Sequence, residues 1–222
     1  MKEFLKTLVS RIPVDVLERC LAYSISFQKF RSLFDCKTFA TREELWDFCL
    51  SEILEGDDPI TFIEFGVWQG YSINHFARKN TNKDSLFFGL DSFEGLPEDW
   101  AHLGKSHFST AGAIPKTDDQ RVSFIKGWFQ DSFSDLQKRI EKRDGIFIVH
   151  YDADLYSSTL FCLSKMDRLK QGYIAIFDEF PGHETRALYN YVQSSLASVE
   201  FLGKTVDRNG RPVQVLCKIQ PH

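Results

Sequence analysis

The 222-residue sequence has no apolar run approaching the about 20 residues that a membrane-spanning helix needs, and its first residues do not read as a signal peptide. A cytoplasmic protein with no membrane partner is expected. Basic clusters are missing too: 27 Lys and Arg are scattered among 31 Asp and Glu, for a net charge of −4. A nucleic-acid groove needs a basic stripe, so no nucleic-acid partner is expected. Cysteine is sparse, with Cys20, Cys36, Cys49, Cys162 and Cys217 odd in number, widely spaced and never arranged as C-x-x-C. Buried free thiols fit that pattern better than a zinc site or a disulfide framework. No internal repeat, low-complexity run or linker is present. The dinucleotide fingerprint G-x-G-x-x-G and the P-loop lysine are both absent.

What the chain has is apolar mass: 43% hydrophobic residues, with 21 Phe, enough for a full core at this length. One domain over residues 1–222 is expected, with a helical extension over about 1–40. The stretch that organises the rest is 145–179, GIFIVHYDADLYSSTLFCLSKMDRLKQGYIAIFDE. Ile146 to Val149 is too short for a helix and β-branched enough for a buried parallel strand. Asp152 and Asp154 end it. A helical stretch, Ser158 to Lys170, leads through Gly172 to a second apolar run, Tyr173 to Phe177, which ends on Asp178 and Glu179. The crossover of such a unit is right-handed and its strands parallel. Both strand ends therefore meet at one sheet edge, where ligands bind in open α/β sheets. Four acids gathered there are costly without a cation or a shared proton.

The flanking segments supply the remaining elements. Pro13 separates two amphipathic helices within residues 1–34, read as a hairpin packed on the sheet or as a substrate lid or dimer surface. Thr41 and Glu44 fit a capping box, opening a helix to about Leu54 that Gly56-Asp-Asp-Pro59 ends. Ile60 to Phe65 is a strand running into Gly66-Val-Trp-Gln-Gly70, followed by a helix over Ile73 to Arg78. Glycines at a strand end let a ligand approach the backbone and the helix N-terminus. The next strand, Ser85 to Asp91, ends on an acid 25 residues after Gly66. An acid there accepts ribose hydroxyls in nucleotide-binding units, though Asp also suits a helix N-cap. Glu94 to Gln120 is a long loop rich in Gly and Pro, with His102 and His107 read as solvent-facing. Val122 to Gly127 is a third strand before a helix over Phe133 to Lys142. Leu188 to Leu196 reads as helix, and Val199 to Val206 with Val213 to Lys218 as an antiparallel pair turned at Asn209-Gly210.

Seven strands with a closing hairpin resemble the class I S-adenosylmethionine-dependent methyltransferase fold, a mostly parallel Rossmann-like sheet with helices on both faces. Four segments are more specific: Glu64-Phe-Gly-Val-Trp-Gln-Gly-Tyr-Ser72, Phe88-Gly-Leu-Asp-Ser-Phe-Glu-Gly-Leu-Pro97, Lys126-Gly-Trp-Phe-Gln-Asp131 and Asp152-Ala-Asp-Leu-Tyr-Ser-Ser-Thr159. In that order they resemble the signatures of the macrocin O-methyltransferase (TylF-type) family over roughly 40–190. The resemblance implies that Glu64, Gly66, Gly70 and Ser72 surround the methionine part of the cofactor, Asp91 and Ser92 the ribose, and Gln130 the adenine. Phe65, Tyr71 and Asp152 are assigned to cofactor binding as well. Asp152, Asp178 and Glu179 would hold a divalent cation, with Asp154 as base; Glu179 stands where the family usually has Asp. The implied activity is O-methylation of a small molecule's hydroxyl, on a sugar or natural-product intermediate, by a possible homodimer.

That chemistry suits the residues. Methyl transfer from a sulfonium is an in-line displacement that depends on alignment, and positioning alone supplies on the order of 7–11 kcal/mol. A hydroxyl is barely ionised at neutral pH, and a carboxylate of ordinary pKa near about 3.9 is a weak base for it. A cation lowers the pKa of a bound oxygen by several units, and all-carboxylate ligation suits Mg²⁺, Mn²⁺ or Ca²⁺. Two rivals remain at this level: a non-catalytic cofactor-binding module of the same fold, and an NAD-dependent oxidoreductase. The acidic cluster speaks against the first and the missing fingerprint against the second.

Overall fold

The computed structural model describes residues 2–52, 54, 58–100 and 103–222. Helices α1 (Lys2–Val9) and α2 (Val14–Lys29) part at Pro13, as the missing proline N–H dictates. A short strand, β1 (Lys37–Phe39), precedes α3 (Arg42–Glu52). Thr41 Oγ1 accepts the Glu44 N–H at 3.2 Å, while the Glu44 carboxylate reaches back to the N–H of Ala40 at 2.9 Å, one residue beyond the expected reciprocal bond. There follow β2 (Ile60–Phe65), α4 (Tyr71–Lys79), β3 (Leu86–Asp91), β4 (Val122–Lys126), α5 (Phe129–Ile140), β5 (Ile146–Tyr151) and α6 (Tyr156–Met166). The chain closes with β6 (Tyr173–Phe177), α7 (Thr185–Ser195), β7 (Ser198–Val206) and β8 (Pro212–Gln220).

These strands form one sheet in the order β1-β7-β8-β6-β5-β2-β3-β4. From β4 across to β6 every neighbouring pair is parallel; β8 lies antiparallel between β6 and β7. The expected seven strands are joined by an eighth, β1, which pairs parallel with β7. Three residues are too few to show a period, so only the long-range pairing reveals it. Successive residues of a strand face opposite sides, and β2 divides accordingly. Ile63 and Phe65 enter one apolar cluster, Ile60 and Phe62 the other.

Four helices begin earlier than expected, α4 and α6 by two residues and α5 and α7 by more. α5 starts at Phe129, because Gly127 (φ +144°) turns the chain and Trp128 takes an extended N-cap conformation, so Gln130 sits in the first helical turn. α7 starts at Thr185 after a kinked turn, Phe180–Glu184, in which Pro181 and Gly182 leave helical geometry. The N-terminal α2 packs on that turn and on α7, leaving Leu21 and Phe27 exposed. No helix among the described residues is long and apolar enough to cross a membrane. All five cysteines are free, with Cys49, Cys162 and Cys217 buried. Gly56, Asp57 and His102 lie outside the described residues.

Candidate active site

The edge formed by the C-terminal ends of β2, β3 and β5 carries a cleft whose shape is set by backbone contacts. At the end of β2 the chain bends at Gly66, held at φ +94°, and its Cα faces the end of β5 closely. The next two residues hang from Asp91 at the end of β3. Its Oδ2 accepts the N–H groups of Val67 and Trp68, each at 2.8 Å, and its Oδ1 accepts that of Phe93 at 2.7 Å. A carboxylate offers about four acceptor sites, so one remains for a ligand. Gly66, Asp91, Ser92, Gln130, Asp152 and Asp154 line the cleft together, with Trp68, Phe108, Trp128 and Ser158 as further walls. The Ser92 hydroxyl donates to the Gly95 carbonyl at 3.0 Å and thereby closes the turn after β3.

The other residues that the resemblance assigned to the cofactor, Glu64, Phe65, Gly70, Tyr71 and Ser72, are not among those lining this cleft. Phe65 is fully buried and stacks on Tyr151 and Phe133. Tyr71 turns outward and donates from its hydroxyl to Glu43 at 3.0 Å. Gly70, at φ +77°, opens α4, and Ser72 donates from its hydroxyl to Glu64. Glu64 is fully buried, and its Oε1 also lies 2.8 Å from Nδ1 of His150 on β5. These side chains build the loop and anchor it to the sheet.

Beside the cleft the acids meet a histidine. Burial by itself would lower the His150 imidazole, but the carboxylates of Asp178 and Glu64 raise it to about 10. Burial would raise Asp178, yet the facing imidazole holds it below the usual carboxylate range. Burial and the Asp178 carboxylate push Asp152 well above that range. Asp154 is held in the left-handed region at φ +57° and is buried; desolvation, with Glu179 and Asp178 near, lifts it to about 7. One ligating atom from each of His150, Asp152 and Asp178 lies within 4.8 Å of the others. Glu179, expected as a ligand, is outside that group; it is exposed, and its N–H donates to Glu184 Oε2 at 3.0 Å. His183 faces α2, 3.6 Å from Glu18, rather than the cleft.

Two buried residues of this region escaped the reading of the sequence. Asp152 follows directly on β5, two residues beyond His150, and Glu64 is the cross-strand partner of His150. A titratable residue interrupting an apolar run was the available signal. Glu184 is fully buried beneath the kinked turn after β6, raised well above its usual range by burial and by Asp178. Nothing in the local sequence marks it, because the turn that buries it has no regular period.

The model of the macrocin-O-methyltransferase (TylF) family matches residues 38–195. The chain belongs to the TylF family. Over 159 residues it is 26% identical to 8-demethyl-8-(2,3-dimethoxy-alpha-L-rhamnosyl)-tetracenomycin-C 4'-O-methyltransferase of Streptomyces olivaceus, covering 60% of this chain and 58% of that protein. Over 154 residues it is 22% identical to demethyldecarbamoylnovobiocin O-methyltransferase of Streptomyces niveus, covering 60% and 57%. The matched part is thus less than two thirds of either relative's length. Among solved structures, the O-methyltransferase NovP superposes with a TM-score of 0.58 at 21% identity, over 79% of this chain and 78% of that one. CalS11, a calicheamicin methyltransferase, does so with a TM-score of 0.55 at 17% identity, over 96% and 89%. These two likenesses establish the fold, a class I methyltransferase sheet, here mostly parallel and closed by the antiparallel β7–β8 pair.

Proposed function

We propose that this TylF-family protein is an S-adenosylmethionine-dependent O-methyltransferase that uses a divalent cation and methylates a hydroxyl on a sugar or a related natural-product intermediate. The observation that carries the reading is that Gly66, Asp91 and Gln130 share one cleft with Asp152 and Asp154. One set is suited to a nucleoside, the other to a reacting hydroxyl. The sugar preference is supported by the rhamnosyl acceptor in the name of the Streptomyces olivaceus relative, and by CalS11, also described as a TDP-rhamnose 3'-O-methyltransferase.

The donor groups fit both ligands. The remaining acceptor site of Asp91 would take a ribose hydroxyl and the side chain of Gln130 the base; both residues line the cleft, with Trp128 as an adjoining wall. Buried, unpartnered atoms on His150 and Asp178 fit a cation. When bound, S-adenosylmethionine supplies an electrophilic methyl and a divalent cation acidifies a hydroxyl. The protein's own part is to align and to move a proton. Asp154 lines the cleft two residues beyond Asp152, and its carboxylate accepts the acceptor's hydroxyl proton. The raised affinity of Asp154 for a proton makes it a better base near neutrality than an exposed Asp. Phe108 and Trp68 flank the cleft as aromatic walls.

The test is methyl transfer, followed by mass spectrometry, from S-adenosylmethionine to rhamnosylated and other glycosylated acceptors, with Mg²⁺ or Mn²⁺ and with EDTA. Transfer that EDTA abolishes and the ion restores is the expected result. Transfer undiminished in EDTA would remove the cation from the proposal, and no transfer to any glycosylated acceptor would remove the sugar.

A further inference from the structure

We propose that His150 is itself a ligand of the divalent cation, so that the centre of this chain is one imidazole and two carboxylates, His150, Asp152 and Asp178. The inference rests on the cation proposed above and changes its coordination: an aromatic nitrogen enters the set that Glu179 was expected to complete.

The geometry begins with Glu64. It faces His150 across the β2–β5 ladder, both side chains are fully buried, and Glu64 Oε1 lies 2.8 Å from the ring's Nδ1. With its Nδ1–H accepted by this carboxylate, the ring turns Nε2 away from Glu64, and a cation bound there would displace the Nε2 proton. Metal-bound histidines are held in this manner, by an acceptor on the opposite ring nitrogen. Ser72 donates to the same Glu64 oxygen, which fixes the carboxylate in turn.

The free end of the ring meets Asp178. His150 Nε2 and Asp178 Oδ1 are 3.8 Å apart, and both atoms are buried with no hydrogen-bond partner. That gap is too long for a hydrogen bond. It is slightly less than two metal–ligand bonds of about 2.0–2.2 Å laid end to end. Asp152 completes the set from directly beyond β5, next to Asp178, because Tyr151 is paired with Phe177. Glu179 is outside this group, at the start of the kinked turn, where its N–H donates to Glu184.

An imidazole changes which ion is held. Mixed nitrogen and carboxylate sets favour Mn²⁺, Fe²⁺, Co²⁺ or Zn²⁺, whereas Mg²⁺ takes oxygen ligands. Co²⁺ therefore binds this chain more tightly than Mg²⁺, and Glu64→Gln, which perturbs the support of the ring, weakens Co²⁺ about 10- to 100-fold.

The experiment uses the 222-residue protein labelled with ¹⁵N-histidine and saturated with Mn²⁺, read by electron spin-echo modulation without any turnover. A nitrogen hyperfine coupling is expected, absent in His150→Asn that circular dichroism shows to be folded. Should that variant not fold, His107→Gln and His183→Gln, which alter histidines outside the buried group, keep the coupling. Mn²⁺ bound with no nitrogen coupling overturns the ligand assignment and leaves the proposed cation in place. A coupling that persists in folded His150→Asn, or is lost in His183→Gln, overturns it as well. No Mn²⁺ binding, together with methyl transfer in EDTA, overturns the cation of the proposed function and this inference with it.

Discussion

A Cβ built on Gly66 would fall 1.8 Å from the carbonyl oxygen of Asp152. The glycine loop therefore rests directly on the end of β5, and the two halves of the cleft are in backbone contact. With φ at +94° the position is strained for any L side chain even before that clash. Gly66→Ala forces β2 and β5 apart at their C-terminal ends. Such overpacking costs about 1–3 kcal/mol. We expect a lower Tm and loss of measurable S-adenosylmethionine binding by calorimetry; a variant that keeps both would mean that the loop yields freely.

Asp91 carries two duties that one substitution cannot separate but two can. It accepts three backbone N–H groups, from Val67, Trp68 and Phe93, before any ligand arrives. Hydrogen bonds to a charged group contribute about 1.5–3 kcal/mol each. Asp91→Ala should lower the stability of the ligand-free protein as well as its cofactor affinity. Asp91→Asn keeps one carbonyl oxygen for the loop, so it should retain more stability while still losing the ribose contact. Chemical denaturation without cofactor is the check: an Asp91→Ala protein as stable as wild type would show that the loop does not depend on this carboxylate.

The central strand–helix–strand unit and its two acid-bearing strand ends were legible because each apolar run stops abruptly on a carboxylate. The pairing of Glu64 with His150 was not, although both residues were in plain view. Glu64 was placed beside the cofactor by the family resemblance, not by any local pattern. Only the register of β2 on β5 turns it inward. The buried Glu184 and the early start of α7 depend on the kink at Pro181 and Gly182, a tertiary feature without a local period. Likewise β1 exists only because β7 is beside it.

Asp154 gives a pH signature with a defined sign. Its folded value is about 7, against an unfolded value of about 3.9. Between those values the folded protein holds a proton that the unfolded chain releases. This group's contribution to stability is thus fully present below about pH 4 and is lost as pH rises through about 7. Carboxyl ¹³C NMR of metal-free protein should show an Asp titration near neutrality that is missing in Asp154→Asn. As the active base is the carboxylate, Asp154→Asn should also lower kcat by about 10²–10⁴ while leaving cofactor affinity in place. An Asp154→Asn enzyme with full kcat would show that no protein base is needed.

The loop after β3 offers the last test, because it is tied down at both ends and contributes one aromatic side chain to the cleft. Leu96 N–H donates to the Lys105 carbonyl at 2.7 Å, and Gly112 N–H to that of Phe93 at 2.8 Å. Ser157 at the start of α6 donates to Glu98 at 2.9 Å. Between these ties Phe108, at φ +62°, sets its ring 5.8 Å from that of Trp68 at 76° and so spans from the loop to the glycine turn. Such edge-to-face pairs contribute about 0.5–1.5 kcal/mol beyond their buried area. Opening the cleft to release product must break this contact, whereas the backbone ties can persist. Phe108→Ala should therefore raise KM for the cofactor by roughly 2- to 12-fold, the factor that this energy corresponds to, with kcat changed little. Amide exchange should quicken around 106–110 and stay slow at Gly112, where the bond to Phe93 is untouched. An unchanged KM with unchanged exchange would mean that the loop is a fixed wall and that the cleft opens elsewhere.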